Sequence, residues 1–392
     1  MKVLSGIALF TIYTYYYTDR GSADIYKYFD DASVLFQLAK DDFSSFLMLF
    51  LDMSDPNEIV AQAKENMLYW DKTYNYGSLN DNRTIIRVNT LFHFVSFGNF
   101  QVHNILFNVL SFTGCIGLYH FFRAKFKLPK WILLLSLFLV PSFLFWSSGV
   151  LKESILIFAL GLTLFHFFVN TKSMKWLWLV LTFTLLLWIK TYVLLTLLPG
   201  LLFIGLNKVS PLDPLWNWIA CASILIISVY LSPLIGGPDP VAHLIQKQKD
   251  FFDLVASLQP NSTYYLPEIN SFSDVFWNLP RAVFSVLFRP FAWEFNGALD
   301  ALAAMENLAL LVLVILAVVY RKKDLSIKKW NTFHWSFILC LAGVIGLVTP
   351  VFGALVRYKV PLLPFLIIAM FAVMDLDKLY RTFPFINKLK NL

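Results

Sequence analysis

The sequence predicts an all-α fold: a polytopic transmembrane helical bundle of about ten transmembrane helices, with interfacial amphipathic helices in two external loops. The 392 residues are 58% hydrophobic and only 15% charged, whereas a soluble domain carries about 25% charge. Several apolar runs approach the ~20 residues that a bilayer core requires. Basic residues gather in the short loops between these runs, which is the positive-inside pattern of membrane proteins. The lipid bilayer is therefore the expected solvent for most of the chain.

Ten apolar runs follow one another along the chain as candidate crossings. They lie at about 2–17, 101–122, 131–147, 151–169, 176–189, 191–207, 216–236, 301–320, 332–352 and 360–376. Ten crossings place both termini in the cytoplasm and every strongly basic loop on the cytoplasmic side. The runs 176–189 and 191–207 are short for a full span, so the number of crossings is predicted to within one pair of helices. A multi-pass protein of the inner (cytoplasmic) membrane is expected.

Residues 1–392 are predicted to form a single transmembrane domain, with external loops at about 18–100 and 237–300. Residues 1–17 are expected to be a retained first helix, because their tyrosine-rich end is unlike the cleavage site of a signal peptide. Within the loops, residues 32–51 and 273–288 mix apolar and charged side chains, which is typical of helices on a membrane surface. Residues 84–97 are a second apolar piece, which is too short to cross and is interrupted by Arg87 and His93. The orientation places Ser78 and Ser257 outside and Ser326 inside.

Several function classes find no support in the sequence. The formal net charge of +7 comes mainly from basic loops between apolar runs, so no nucleic-acid partner is expected. Cys115, Cys221 and Cys340 lie far apart inside apolar runs and indicate neither a disulfide framework nor a zinc site. The glycine motifs of phosphate loops, dinucleotide sites and nucleophile elbows are not found. No metal site is predicted; a divalent metal is compatible with the sequence, and the cofactor is left unknown.

Ionisable groups at membrane depth are the best functional signal in such a sequence, because they are costly in lipid and usually face a cavity. On the ten-helix topology they converge on the outer side. The candidate residues are Asp30, Asp31, Arg87, Lys152, Glu153, Lys190, Arg289, Glu294, Glu306, Arg357 and Lys359. Basic groups with a few carboxylates at this boundary suit an anionic headgroup and a proton-transfer step.

Structural roles compete with functional ones at these positions. Lys190 ends its predicted helix, where a cation complements the helix dipole and can reach water, so a structural role is favoured. Glu153 lies in a first turn, where a carboxylate is also favourable. Lys152 opposes the dipole at the same helix start, which favours a functional role. Nearby prolines would fix the directions of Arg289 and Arg357.

Four stretches resemble bacterial polytopic enzymes of cell-surface polysaccharide assembly. They are Asp30-Asp31 after the first helix, residues 87–122, residues 141–153 (PSFLFWSSGVLKE) and residues 357–365 (RYKVPLLPF). More narrowly, the chain resembles membrane glycosyltransferases of the GT-C type, in which a long first external loop carries a catalytic Asp or Glu. The resemblance covers the layout of about the first 200 residues and short pieces after them. The external loops are small here, and the acidic pair is not a clear Asp-x-Asp.

This resemblance implies an enzyme that transfers a sugar from a polyprenyl-phosphate-linked donor to a glycan or lipid-linked acceptor on the extracytoplasmic face, among membrane lipids. The predicted ligands of the donor phosphate are Lys152, Lys190, Arg289 and Arg357. Supporting roles fall to Arg87, Glu153, Glu294, Glu306 and Lys359. The acceptor hydroxyl needs a carboxylate base. Asp30 and Asp31 are the candidates, and Asp31 is preferred because it immediately precedes an apolar face.

Three other functions stay open. A polysaccharide polymerase or ligase of the O-antigen type would use polyprenyl-diphosphate-linked oligosaccharides, and Arg289 together with Arg281 favours it. A transporter of lipid-linked glycans would need polar residues near mid-membrane and symmetry between halves, and neither is evident in the sequence. A helper subunit without catalysis is compatible with the same residues.

Overall fold

The computed structural model shows an α-helical chain. It describes residues 1–17, 19–21, 23–53, 58–71, 80–260, 262–322 and 329–388, with residues 329, 385 and 386 described in backbone only. The described residues form helices and two isolated β-bridges, and no β-strand. The all-α prediction is therefore confirmed. Ser78 and Ser326, two of the positions used to define the orientation, lie outside the described residues.

Nineteen α-helices follow one another in the described part of the chain. The first ten are α1 (Lys2–Thr11), α2 (Asp24–Asp41), α3 (Phe43–Phe50), α4 (Glu58–Glu65), α5 (Asp81–Ser96), α6 (Phe100–Lys125), α7 (Lys130–Phe138), α8 (Pro141–Trp146), α9 (Lys152–Phe168) and α10 (Lys175–Val209). The others are α11 (Pro214–Leu231), α12 (Pro240–Leu258), α13 (Phe272–Phe288), α14 (Ala298–Val319), α15 (Lys329–Val348), α16 (Phe352–Tyr358), α17 (Leu363–Val373), α18 (Leu376–Thr382) and α19 (Pro384–Asn387). Helix α1 continues in π-helical form over Ile12–Tyr16.

The chain divides into two compact units. Unit 1 consists of residues 1–121 and 143–191, and unit 2 of residues 122–142 and 192–392. The boundaries fall near the end of α6, in α8 and inside α10. Each unit has its own buried apolar interior, with Phe107 and Leu156 fully enclosed in unit 1 and Phe337 and Phe365 in unit 2. The single transmembrane domain over residues 1–392 stays a prediction.

Among the described residues, six stretches are long and apolar enough to cross a membrane. They are α6, α10, α11, α14, Trp330–Val348 in α15, and Phe352–Val373 across α16 and α17. They cover seven of the ten predicted crossings, because α10 contains both 176–189 and 191–207. The other three runs form shorter elements: α1 with its π-helical continuation, the separate helices α7 and α8, and the 17-residue α9. The apolar helices indicate a multi-pass membrane protein, whereas the count of ten stays a prediction.

Helix α10 is interrupted at its middle. It spans 35 residues, and a straight helix of that length would measure about 52 Å, well beyond the ~30 Å of a bilayer core. The backbone leaves the helical conformation at Lys190 (φ −155°, ψ 77°). The predicted boundary between the two short runs therefore coincides with the observed interruption.

The regions predicted as external loops contain more helices than the sequence indicates. Residues 32–51 form parts of two helices, α2 and α3, and not one continuous segment. The break lies at Asp42, whose carboxylate caps α3 by accepting hydrogen bonds from the N–H groups of Ser44 (3.0 Å) and Ser45 (3.2 Å). Helices α5 and α13 cover the other two predicted segments, and the sequence analysis does not predict α4 or α12. The location of these helices at the membrane surface stays a prediction.

One pair of helices in each unit packs with its backbones in close contact. In unit 1, α6 meets α9 where a Cβ atom on Gly161 would lie 2.0 Å from the carbonyl oxygen of Gly114. In unit 2, α15 meets α13 where a Cβ atom on Gly346 would lie 2.2 Å from the carbonyl oxygen of Ala282. Small residues permit such close helix packing in membrane proteins. These contacts fix α9, which begins at Lys152, and α13, which ends just before residue 289.

Candidate functional site

Asp30 and Asp31, the predicted bases, have different environments in unit 1. Asp30 is exposed and pairs with Arg20, whose Nη2 lies 2.5 Å from its carboxylate. Asp31 is only 4% exposed. Its two oxygens accept hydrogen bonds from the N–H groups of Leu68 (3.0 Å) and Tyr69 (2.7 Å). Burial raises the pKa of Asp31 to about 6, against the opposing effect of these hydrogen bonds.

The segment of residues 67–71 is also tied to the start of α5. The side-chain Nδ2 of Asn82 donates to the carbonyl oxygen of Tyr69 (2.9 Å), and Nδ2 of Asn80 donates to that of Trp70 (2.9 Å). The Nε of Arg83 donates to the same Trp70 oxygen (3.3 Å). The segment is therefore held between α2, through Asp31, and the first turn of α5.

A charged cluster lies at the start of α5, and its members come from three elements of unit 1. The Nζ of Lys152 lies 2.8 Å from Oδ2 of Asp81 and donates to Oδ1 of Asn82 at 2.5 Å. The Nζ of Lys190 lies 3.9 Å from the same Asp81 oxygen. The ring of Tyr28 covers Lys152, with 5.0 Å between Nζ and the ring centroid. Two cations thus face one carboxylate.

Helix geometry explains how this cluster forms. Asp81 lies in the first turn of α5, where the helix dipole favours a carboxylate. Lys152 begins α9, where the dipole disfavours a cation. Lys190 lies at the interruption of α10. The Asp81 carboxylate therefore interacts with both lysines, and it compensates Lys152, which the dipole of α9 disfavours.

Two supporting residues predicted in unit 1 have different surroundings. Glu153 follows Lys152 in the first turn of α9 and is 1% exposed, so its carboxylate faces the interior of the unit. Arg87 lies in α5, where its Nε donates to the carbonyl oxygen of Phe50 (2.6 Å) and its guanidinium lies 5.3 Å from the ring centroid of Trp70. These contacts give Arg87 a role in holding α3 and residues 67–71.

A second charged group lies just after α13 in unit 2. Arg289 pairs with Glu294 at 3.0 Å, and the other oxygen of Glu294 accepts a hydrogen bond from the N–H group of Phe291 (3.0 Å). The Arg289 guanidinium lies 4.7 Å from the ring centroid of Tyr264. The hydroxyl of Tyr264 donates to the carbonyl oxygen of Thr349 (2.8 Å), and burial raises its pKa above the ordinary value. Arg289 is therefore held by a carboxylate and a fixed aromatic ring.

The remaining predicted residues of unit 2 form separate contacts. Lys359 is buried at 1% exposure and donates to Oδ1 of Asn307 at 2.5 Å. Glu306 accepts hydrogen bonds from the N–H (2.7 Å) and hydroxyl (2.5 Å) groups of Ser142. Arg357 is half-buried in the last turn of α16. Glu306 is thus a helix-capping partner of Ser142 and shows no ion pair with an arginine among the described residues.

The structure brings together only part of the predicted site. Lys152 and Lys190 meet in unit 1, and Arg289 meets Glu294 in unit 2. Neither Asp30 nor Asp31 contacts the lysine cluster directly. Asp81, the carboxylate that both lysines of the cluster approach, is not among the residues predicted from the sequence. The available signal was the pair Asn80-Asp81 shortly before the predicted segment 84–97, because Asn and Asp are typical of a helix start.

Among the described residues, no group of three or more His, Cys, Asp or Glu side chains lies close enough to hold a metal ion. No family model, curated protein or solved structure matches the chain.

Proposed function

We propose that the chain is a membrane glycosyltransferase that transfers a sugar from a polyprenyl-phosphate-linked donor to a glycan or lipid-linked acceptor. The observation that supports this proposal is the cluster of Lys152, Lys190 and Asp81. Its lysines have side chains only 8% and 11% exposed, and both ammonium groups lie within 4 Å of the same Asp81 oxygen. Two ammonium groups close together in a poorly solvated place are suited to a phosphate group.

The cluster supplies the groups that such a transfer needs. The donor phosphate would bind the two ammonium groups and displace the carboxylate of Asp81. The acceptor hydroxyl oxygen then attacks the anomeric carbon, the bond from this carbon to the phosphate oxygen breaks, and the electron pair stays on the phosphate. The lysines stabilise this charge, and Asp81 accepts the hydroxyl proton. The donor leaves as a polyprenyl phosphate, and the acceptor carries the sugar.

The geometry favours Asp81 over Asp31 as the base. Both oxygens of Asp31 already accept backbone hydrogen bonds, and Asp30 is an exposed partner of Arg20. Asp81 lies within 4 Å of both lysines, so a phosphate bound by them would also bring the reacting carbon near its carboxylate.

A polymerase or ligase acting on polyprenyl-diphosphate-linked oligosaccharides is the second candidate. Arg289 beside Tyr264 favours it, because a guanidinium binds phosphate oxygens in pairs and an aromatic ring can stack on a sugar. Arg281 lies on the same helix and donates to the carbonyl oxygen of Tyr265 at 3.3 Å. Under this alternative Arg289, with Arg357, is the group that binds the diphosphate.

The lipid-binding step can be tested with undecaprenyl phosphate as the probe. Purified protein in detergent should bind this lipid in native mass spectrometry, and Lys152→Ala and Lys190→Ala should each weaken binding by about tenfold or more. Lys247→Ala is the matched control, since Lys247 also pairs with an aspartate, Asp250 at 3.1 Å, on an exposed helix surface. Equal binding by all four proteins would contradict the proposal.

The proposal includes ten crossings of the inner membrane, with both termini in the cytoplasm. It places the sugar transfer on the outer face of the membrane, with α2, α5 and α13 at that membrane surface. It predicts that a cysteine at Ser257 reacts with an impermeant thiol reagent in intact cells and one at Ser173 does not. Both serines are exposed. The background lacks the three natural cysteines. Labelling at Ser173 alone would reverse the orientation.

A further inference from the structure

A continuous path of hydrogen bonds joins Asp31 to the lysine cluster of unit 1. The N–H group of Tyr69 donates to Asp31, the carbonyl oxygen of Tyr69 accepts from Asn82, and Asn82 accepts from Lys152. We propose that Asp31 is a positioning residue, which holds residues 67–71 so that Asn82 fixes Lys152 at the donor phosphate. The proposal rests on the glycosyltransferase function proposed above, in which Lys152 binds the donor phosphate.

The first step of the path is the anchoring of the segment. Asp31 accepts two adjacent backbone N–H groups, one on each carboxylate oxygen. Two hydrogen bonds to one charged and buried group define both the position and the orientation of the peptide that carries them. The carbonyl oxygen of Tyr69 is thereby directed to α5.

The second step is the orientation of the Asn82 amide. Its Nδ2 donates to the Tyr69 carbonyl oxygen at 2.9 Å, so its Oδ1 must point the other way, where it accepts from Lys152 at 2.5 Å. An amide that lost its Tyr69 partner could rotate by 180° and present its NH₂ group to the ammonium. The position of the segment therefore decides whether Asn82 attracts or repels Lys152.

The third step concerns the charge of Lys152. Asn82 is neutral, so it holds the ammonium without cancelling its charge. Asp81 holds the ammonium and also cancels its charge. When a phosphate displaces Asp81, Asn82 still accepts a hydrogen bond from Lys152. A donor site of this kind keeps its cation in place throughout the exchange of anions, which is the preorganisation that electrostatic catalysis requires.

Asp30 provides a matched control for Asp31. It is the preceding residue of the same helix, and its carboxylate is also occupied, but its partner is Arg20 on the surface, at 2.5 and 3.1 Å. Replacing either aspartate by asparagine makes the same chemical change. Only Asp31→Asn disturbs the path to Lys152.

Competitive labelling of amines by acetic anhydride, read by mass spectrometry of the full-length protein, tests the proposal. Asp31→Asn and Asn82→Ala should each raise the labelling of Lys152 several-fold, and Asp30→Asn should leave it unchanged. Lys2 is the internal reference for an intact unit 1, because it is also buried, with its Nζ 2.8 Å from the Ser111 hydroxyl. Its labelling should stay low in all variants.

Hydrogen exchange of the backbone separates the two steps. Asp31→Asn should speed exchange at Leu68 and Tyr69, whereas Asn82→Ala should leave these amides protected. If Asp31→Asn does not accumulate, Asn82→Ala alone decides. Unchanged labelling of Lys152 in Asn82→Ala, or in an Asp31→Asn protein with faster exchange, would overturn the proposal. Neither measurement uses sugar transfer, so a failure here is distinct from a failure of the glycosyltransferase function.

Discussion

The charged groups of the two units differ in the number of cations that share one carboxylate. In unit 1, Lys152 and Lys190 share one carboxylate, that of Asp81, and the lysine side chains are 8% and 11% exposed. In unit 2, Arg289 and Glu294 form a one-to-one pair, and the arginine side chain is 21% exposed. The first group brings two cations to one carboxylate oxygen where water is scarce, whereas the second is a single ion pair.

This difference separates a binding role from a structural one. In a buried pair of opposite charges each group compensates the charge of the other, and removing one partner leaves the other uncompensated. A buried cluster in which two cations share one carboxylate oxygen can offer an entering phosphate two charge-assisted contacts. Unit 1 is therefore the better candidate for the phosphate, although basic residues are found in both units.

The largest expected effect distinguishes these two groups directly. Lys152→Ala should lower the rate of sugar transfer from polyprenyl-phosphate-linked donors by about 100-fold or more, because a preorganised donor to a developing negative charge is worth that much. Arg289→Ala should lower it by less than about tenfold. The measurement is transfer of labelled sugar in membranes that contain equal amounts of each variant.

The opposite order of these two variants would break the comparison. A large loss in Arg289→Ala, with near-normal transfer in Lys152→Ala, would locate the chemistry in unit 2 and favour the polymerase or ligase. Asp81→Asn refines the result, because loss of the base should reduce turnover by about two to four orders of magnitude while undecaprenyl phosphate still binds.

A second comparison concerns the close helix contacts that position the two groups. Gly161→Ala in unit 1 and Gly346→Ala in unit 2 should each destabilise the protein by roughly 1–3 kcal/mol or more. The added methyl group would overlap a backbone carbonyl oxygen of the neighbouring helix, which cannot move aside as a flexible side chain can. The measurement is the thermal unfolding of purified protein in detergent, together with the amount in the membrane.

Gly205→Ala is the control for these two substitutions. Gly205 is in α10, and nothing lies within 4 Å of a Cβ atom built on it. Alanine is favoured over glycine in a helix by about 1 kcal/mol, so this variant should be as stable as the natural protein or more so. A similar loss in all three variants would mean that the helix contacts are not the cause.

The class of fold was predictable because it depends on composition. Long apolar runs have no alternative to crossing or packing as helices in lipid, and seven of the ten predicted runs lie in the six described stretches that are long enough to cross. The break at Lys190 was also visible in the sequence, as a charged residue between two short runs. Helix α12 was not, because its Lys247, Lys249 and Asp250 give it the composition of a loop.

The charged site was harder to predict, since it depends on which helix ends meet. Lys152 stood out because a cation at a helix start needs a partner, but the sequence does not say which carboxylate provides it. Asp81 lies 71 residues before it. Asp31 shows a second difficulty: its place in the sequence favoured catalysis, and that role stays a prediction, but no sequence pattern marks the backbone segment that donates hydrogen bonds to both of its oxygens.

Two aspartates, one in each unit, should make the free energy of unfolding depend on pH in opposite directions. In unit 1, burial raises the pKa of Asp31 from 3.8 to about 6. The folded state then holds its proton more tightly than the unfolded state, so stability from this group decreases as the pH rises from about 4 through 6. Asp31→Asn should remove this dependence. Relative to the variant, the natural protein should gain about 1 kcal/mol in its free energy of unfolding as the pH falls from 7 to 5. Thermal unfolding at the two pH values measures this difference.

The smallest expected effect is at Asp274 in unit 2, which lies in the first turn of α13. Its carboxylate accepts hydrogen bonds from the N–H group of Asn270 (3.0 Å) and the hydroxyl of Ser271 (2.9 Å), and Ser271 accepts from the N–H group of Asp274 in return. These bonds favour the charged form and lower its pKa. The resulting stability is therefore present above pH 3.8 and is lost as the pH falls through the lowered pKa, which is the reverse of Asp31. Asp274→Asn should give a small drop in unfolding temperature at pH 7 that shrinks below pH 4. A drop that instead grew on acidification would show that the reciprocal cap does not hold the start of α13.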